Sequence, residues 1–330
     1  MPTFCRHNRF LANCPICSGD QVEVVSSGRT GGARTAAGAG ATRKRAGSSS
    51  GSRTGGVRVR HVAREQEDGF HSSLARGLKA SAAAERLAEE IAFASARLEL
   101  LTTDPPGLYR DIVEQADREE ALWLAFLIAY VSPLDEDDPF AGVRSARTSW
   151  AGGELPVLDD VALGPRTAHD PARATATLAA YRAWAKRAGS QEAAFAGEDA
   201  WSPQRRFARA FERLALPGLH RDARFDLLAT LGRLGLHELE AGALQLGGPD
   251  ETTIAAKRVF GIADTLLLER RAADLAAAGD VPLAALDLAL WNWNRPARPG
   301  AGERERATLG APGLSADTDA YARVAAALGL

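Results

Sequence analysis

Four residues near the N-terminus, Cys5, His7, Cys14 and Cys17, have the types and spacing of a metal site. The pattern Cys-x-His-x6-Cys-x2-Cys offers three thiolates and an imidazole, a donor set that tetrahedral zinc accepts. All three cysteines of the chain lie in this stretch. A segment so short cannot bury a core, so a closed, structural zinc is expected to order it, free thiols in a frayed terminus being the alternative. A second residue with chemistry is Asp287, a lone carboxylate in the apolar run from Pro282 to Trp293. Such an acid needs a raised pKa or a defined partner, and either suits it to accept a proton or steady a cationic transition state. Capping, or pairing with an arginine such as Arg295, is the structural alternative.

The elements that must carry these residues are helical. A length of 330 residues at 45% hydrophobic content suffices for one large core or two ordinary ones. Helices are expected over 81–101 with Ser81 as cap, to about 116, and over 117–131, where Asp117 and Glu120 have capping-box spacing. A long structured loop should fill 132–170. Further helices are expected near 171–188, 203–215, 221–234, 236–246, 251–259, 263–278, 282–293 and 316–328. Val57 to Val62 alternates as a strand would, but no set of strands sufficient for a sheet appears. The fold class is therefore all-α. The longest apolar run, Ala121 to Val131, is too short to span a bilayer and reads as a buried helix. With no apolar leader and with metal-type cysteine spacing, the expected setting is cytoplasmic, without a membrane partner.

Charge is segregated along the chain. Residues 1–64 hold eleven Lys or Arg against two acids, and no carboxylate falls between Glu23 and Glu65. Arg43, Lys44, Arg45, Arg58 and Arg60 lie in that interval and are candidate phosphate contacts of a basic arm. A codon-biased tether is the alternative, since Lys occurs only four times overall. Residues 26–56, rich in Gly, Ser, Ala, Thr and Arg, have too few large apolar side chains to offset ordering entropy. The expected organisation is a zinc-knuckle-like element at 1–25, a basic flexible linker at 26–64 and an all-helical domain at 65–330.

Two turns within that domain have the outline of helix-hairpin-helix elements. Leu216-Pro-Gly-Leu places Gly218 between helices, with Arg205, Arg206 and Arg221 nearby, although His220 replaces the usual second glycine. Val259-Phe-Gly-Ile places Gly261 after Lys257 and Arg258. A hairpin glycine lets backbone amides approach a nucleic-acid phosphate, and the arginine fork fits its oxygens. Plain Pro-Gly helical bends are the alternative. Asp287 follows Gly261 by twenty-six residues, a layout similar to the helical DNA glycosylase superfamily. Trp291 and Asn292 would then line a base pocket, core packing being the alternative for the aromatic ring.

Three strings carry a closer resemblance: Phe4-Cys-Arg-His-Asn-Arg with Asn13-Cys-Pro-Ile-Cys, Trp201 to Gly218, and Ala256-Lys-Arg-Val-Phe-Gly-Ile. They resemble the alpha-glutamyl/putrescinyl thymine pyrophosphorylase family, clade 3, over roughly 80–294. The resemblance implies a glycosylase-like body that acts on DNA and exchanges pyrophosphate on a 5-hydroxymethyl-uracil-derived base for an amine. The partners would be DNA and a small amine or diphosphate-bearing base, with Arg270 and Arg271 as further diphosphate contacts. The acidic stretch Leu134-Asp-Glu-Asp-Asp-Pro invites Mg2+, a solvated loop being the alternative. Two other functions fit the residues: a non-enzymatic DNA-binding protein on the same scaffold, and a zinc-bearing adaptor for a protein partner.

Overall fold

The computed structural model describes residues 67–295, 297–302 and 319–330. The expected zinc ligands Cys5, His7, Cys14 and Cys17, the basic-arm residues Arg43, Lys44, Arg45, Arg58 and Arg60, and the alternating run at Val57 lie outside them. Twelve helices are described: α1 Ser81–Thr103, α2 Leu108–Glu114, α3 Arg118–Val131, α4 Ala141–Ala146, α5 Ala174–Ala188, α6 Gln191–Ala196, α7 Pro203–Arg213, α8 Arg221–Arg233, α9 Glu251–Phe260, α10 Thr265–Ala278, α11 Leu283–Asn294 and α12 Asp319–Leu328. Among the described residues there is no strand. No described helix is long and apolar enough to cross a membrane.

Two helices form the centre. Every residue of α3 from Ala121 to Val131 is buried, as is every residue of α11 from Ala285 to Trp293. These are the two stretches whose apolar residues run on without a polar face, and a helix apolar all round must be enclosed by others. The α1 helix packs along α11 and also meets α8 and α12, while α3 packs against α8. In α1 the apolar residues at helical spacing, Leu87, Ile91 and Ala94, are fully enclosed, and Leu98 is partly buried. Each large side chain so buried contributes roughly 1.5–3 kcal/mol of transfer free energy.

Helix starts depart instructively from the spacing rules. Ser81 is the first helical residue rather than the cap; its amide and hydroxyl donate to Asp68, thirteen residues upstream, at 2.9 and 2.5 Å. Asp117 does cap α3, accepting from the amides of Glu119 and Glu120. Glu120 does not return the bond. Its carboxylate accepts from the Ser149 hydroxyl at 2.6 Å and the Trp150 and Ala151 amides at 2.9 and 3.0 Å. Glu119 likewise accepts from the Gln191 and Glu192 amides at the start of α6. The first turn of α3 thus pins two distant segments, Glu119 meeting the free amides at the start of α6 and Glu120 those of the turn at Trp150.

The segment 236–250, expected to contain a helix, is irregular. Its backbone is held instead by side chains: Glu269 of α10 accepts from the Leu244 and Leu246 amides at 2.7 and 2.6 Å, and Arg221 donates to the Leu244 carbonyl. Gln245 between them has φ 59°, outside the right-handed helical region.

The long loop between α4 and α5 is threaded along the end of α3. The Gly164 amide donates to the Val131 carbonyl at 3.0 Å, the Arg166 amide to the Ser132 hydroxyl at 3.3 Å, and the Ala168 amide to the Tyr130 carbonyl at 3.0 Å. The first and third of these bonds satisfy carbonyls that the helix end leaves open. At Gly164 the approach is so close that a Cβ would collide with the Ser132 and Pro133 carbonyls. Gly164→Ala is therefore expected to lower unfolding free energy by about 1–3 kcal/mol, read from urea melts; an unchanged midpoint would mean the loop is not so tightly threaded.

Candidate functional site

That threading delivers Arg166 into the interior. Its side chain is 1% exposed and reaches two carboxylates on different helices. Nη2 donates to Asp287 of α11 at 2.7 Å, and Nε stands 3.0 Å from Asp226 of α8. The Nε approach is close enough for an ion pair but is not aligned as a hydrogen bond. Arg221, also on α8, pairs with Asp287 as well as with Asp222 at 2.9 Å. Asp222 additionally accepts from the Thr252 hydroxyl at 3.2 Å. Asp222 and Asp226 are four apart on α8, so they share the face turned toward α11. Three carboxylates therefore surround two guanidinium groups.

The protonation pattern follows from burial and the neighbouring charges. Burial works against the Arg166 cation, but Asp226, Asp287 and Asp222 outweigh it and hold its pKa above the ordinary arginine value. Arg221 is likewise pushed up, with Asp287 and Asp222 overcoming desolvation. Desolvation opposes the charge on Asp222 too, yet Arg166 and Arg221 bring its carboxyl below the usual range. Asp226 goes the other way. Burial raises it, Arg166 only partly offsets that, Asp287 and Asp222 add repulsion, and its carboxyl is pushed up to about 6.

Asp226 and Asp287 contribute to the wall of a cavity of about 50 Å³. Arg97 of α1, Tyr109 of α2, and Phe225 and Thr230 of α8 also line it, with aliphatic side chains of α1, α3 and α11. This is room for about three to five waters or the polar end of a ligand. The Asp226 side chain keeps 35% of its surface open, whereas Asp287 keeps 1%. Acid, guanidinium and aromatic walls together make a setting in which a proton can be moved away from bulk water.

The other expected site residues are placed as follows. Arg221, expected on a DNA backbone, is instead an interior residue, 7% exposed and committed to Asp287 and Asp222, so it is not available to a phosphate. Gly218 has φ 79°, as a tight bend requires, but a Cβ there would meet the Thr177 hydroxyl, so this bend packs against α5. Gly261 ends α9 in the left-handed conformation, and its open Cα side faces the backbone of Gly77. The next helix start is occupied by Asp264, which caps the Leu267 amide at 3.0 Å. A carboxylate there disfavours a phosphate at the same place.

The remaining basic residues are more open. Arg205 and Lys257 are exposed, with Arg205 lying over the Trp201 ring at 4.9 Å. Arg258 bonds Asn294, and Arg206 pairs with Glu238. Trp291 is buried, with the Arg166 and Arg295 guanidinium carbons 5.5 and 5.4 Å from its ring, and Asn292 donates to Glu90 at 3.0 Å. Neither lines the Asp226–Asp287 cavity. Their place in the core is the packing alternative for the expected base pocket. In the acidic stretch, Asp138 pairs with Arg144 and accepts from the Phe140 amide. Among the described residues no group of three or more His, Cys, Asp or Glu is arranged to hold a metal ion.

Sequence reasoning reached Asp287 and missed Asp226, Asp222 and Arg166. Asp226 carries the same signal as Asp287, a carboxylate set among Phe225, Leu227 and Leu228 on a helix. Arg166 sits in a loop and gives no local signal.

A carboxyl with a raised folded pKa adds stability that is complete below its unfolded value of 3.8 and is lost as pH rises through about 6. Asp226→Asn should therefore unfold later than the wild type at pH 8, by about 1 kcal/mol after allowing for a side chain one-third exposed. The advantage should vanish at pH 4; a gain of equal size at both pH values would remove the titration from the explanation. No protein-family model, curated protein or solved structure matches this chain, so the site is read from its own residues.

Proposed function

We propose that the chain is an enzyme that recognises and modifies a base in DNA, with Asp287 at its reacting centre. The observation that carries this reading is the placement of Asp287 in the wall of a cavity, held there by Arg166 and Arg221 and facing the same space as Asp226. Two arginines on one carboxylate fix its orientation, and Asp222 and Asp226 balance their charge, so that the cluster's carboxylates can face a developing positive charge in the transition state. A base, or its substituent, would present its polar end to the cavity after leaving the helical stack.

The DNA part of the reading rests on the basic 26–64 segment and on the strings similar to the pyrophosphorylase family. Exposed Arg205, Lys257 and Arg258 supply cations on the helical domain that a phosphate backbone would meet. In the form that the resemblance suggests, pyrophosphate on a 5-hydroxymethyl-uracil-derived base leaves and an amine takes its carbon. A structural zinc held by Cys5, His7, Cys14 and Cys17 belongs to the same proposal.

The test is incubation of the full chain with DNA bearing pyrophosphorylated 5-hydroxymethyl-uracil and a panel of amines, followed by nucleoside mass spectrometry. An amine-substituted nucleoside is expected from the wild type. Asp287→Asn should lose at least about 100-fold in turnover while its DNA affinity stays within twofold. DNA binding that falls steeply with salt but yields no altered nucleoside would favour a non-enzymatic DNA-binding protein. Absence of both would leave the adaptor reading.

A further inference from the structure

We propose that Asp226 is the proton-carrying residue of the cavity, giving a proton to and taking it from the group held there, with Arg166 as its positioning residue. This deepens the functional reading above and rests on it for the identity of the substrate. Three carboxylates share the buried cluster, and they are not equivalent. Asp222 is bonded by Arg221 and Thr252. Asp287 has Arg166 hydrogen-bonded at Oδ2 and Arg221 ion-paired at Oδ1, the latter not aligned as a hydrogen bond, and is sealed at 1% exposure. Asp226 is ion-paired with Arg166 Nε, an approach not aligned as a hydrogen bond, and the Arg97 cation also acts on its charge. It is also the most open of the three, at 35% against 13% for Asp222 and 1% for Asp287.

Proton exchange requires an oxygen that is reachable and not already committed to fixed donors. Asp226 meets both conditions. The charged and titratable groups around it are Arg97 from α1, Tyr109 from α2, Asp222 and, through Asp287, Arg221 from its own helix, Arg166 from the α4–α5 loop and Asp287 from α11. Burial and the two neighbouring carboxylates raise its pKa to about 6, where both protonation states are populated in neutral solution. In the donating direction the Asp226 O–H bond breaks as its proton passes to a nitrogen or oxygen lone pair of the ligand. In the accepting direction the carboxylate takes a proton from an incoming N–H or O–H group as that atom forms its new bond. Arg166 stays protonated throughout and holds Asp226 and Asp287 at a fixed separation.

The experiment has two readouts on the full chain. Carbon-13 carboxyl resonances of aspartate-labelled protein are followed from pH 3 to 9, the Asp226 signal being assigned by its loss in Asp226→Asn or, independently, Asp226→Ser. An inflection within about one unit of 6 is expected. Turnover of the DNA substrate is then followed against pH. Asp226→Asn should lose on the order of 100-fold or more in kcat and the pH limb near 6. Asp226→Glu should restore part of the rate with a displaced limb. An Asp226 signal that titrates in the ordinary carboxylate range overturns the proposal, as does an Asn variant that keeps the wild-type limb. A wild type that turns over no DNA while Asp226 titrates near 6 overturns the choice of substrate and supports the proton-carrying role.

Discussion

One guanidinium, that of Arg166, holds the interior of this domain in order. It is enclosed on all sides and lies between a carboxylate of α8 and one of α11. Removing a cation from water costs several kcal/mol even after relaxation, and only well-placed counter-charges offset it. Of the counter-charges Asp287 is enclosed, whereas Asp226 keeps 35% of its side chain open, so a shift of α11 would leave a buried ion unpaired. The loop that carries Arg166 is fixed by the carbonyls at the end of α3, where Gly164 permits the close pass. Loop, central helix and two acids therefore form one mechanical unit, and the cavity is the space that unit leaves.

Burial and the neighbouring charges set the protonation of the unit. Desolvation, with repulsion from Asp287 and Asp222, raises the pKa of Asp226 although Arg166 and Arg97 pull it down. The same logic appears a few ångströms out, at Glu269. Burial raises its pKa even though the Leu244 and Leu246 amides and Arg221 pull it down. Glu269 and Arg221 together hold the 244–246 segment, and Arg221 also holds Asp287. An irregular segment is thereby ordered by side chains that belong to the site.

The sequence was most legible where one residue's neighbours along the chain decide its fate. The continuous apolar runs of α3 and α11 mark buried helices, and a carboxylate inside one of them, Asp287, marks a site. Helix caps were half legible. Asp117 caps as its spacing predicts, but Glu120, three residues on, is drawn to the Ser149–Ala151 amides, and Ser81 is served by distant Asp68. Leu236 to Leu246 has the composition of a helix; Glu269 and Arg221 bind its backbone in another shape, an outcome no local pattern contains. Arg221 reads as a surface cation beside a Pro-Gly bend, and only the fold turns it inward. Arg166 is illegible for the same reason: its role depends on a loop path, and loop paths are set by contacts far apart in the chain.

The claim that everything else depends on is the coupling of Arg166 to the acids. A double-mutant cycle of Arg166→Met and Asp287→Leu, followed by urea unfolding at pH 7, measures it directly. The predicted result is a coupling of about 2 kcal/mol, each single change being far more costly than its share of the double. Costs that simply add, within about 0.5 kcal/mol, would contradict it and leave Arg166 as one buried side chain among many.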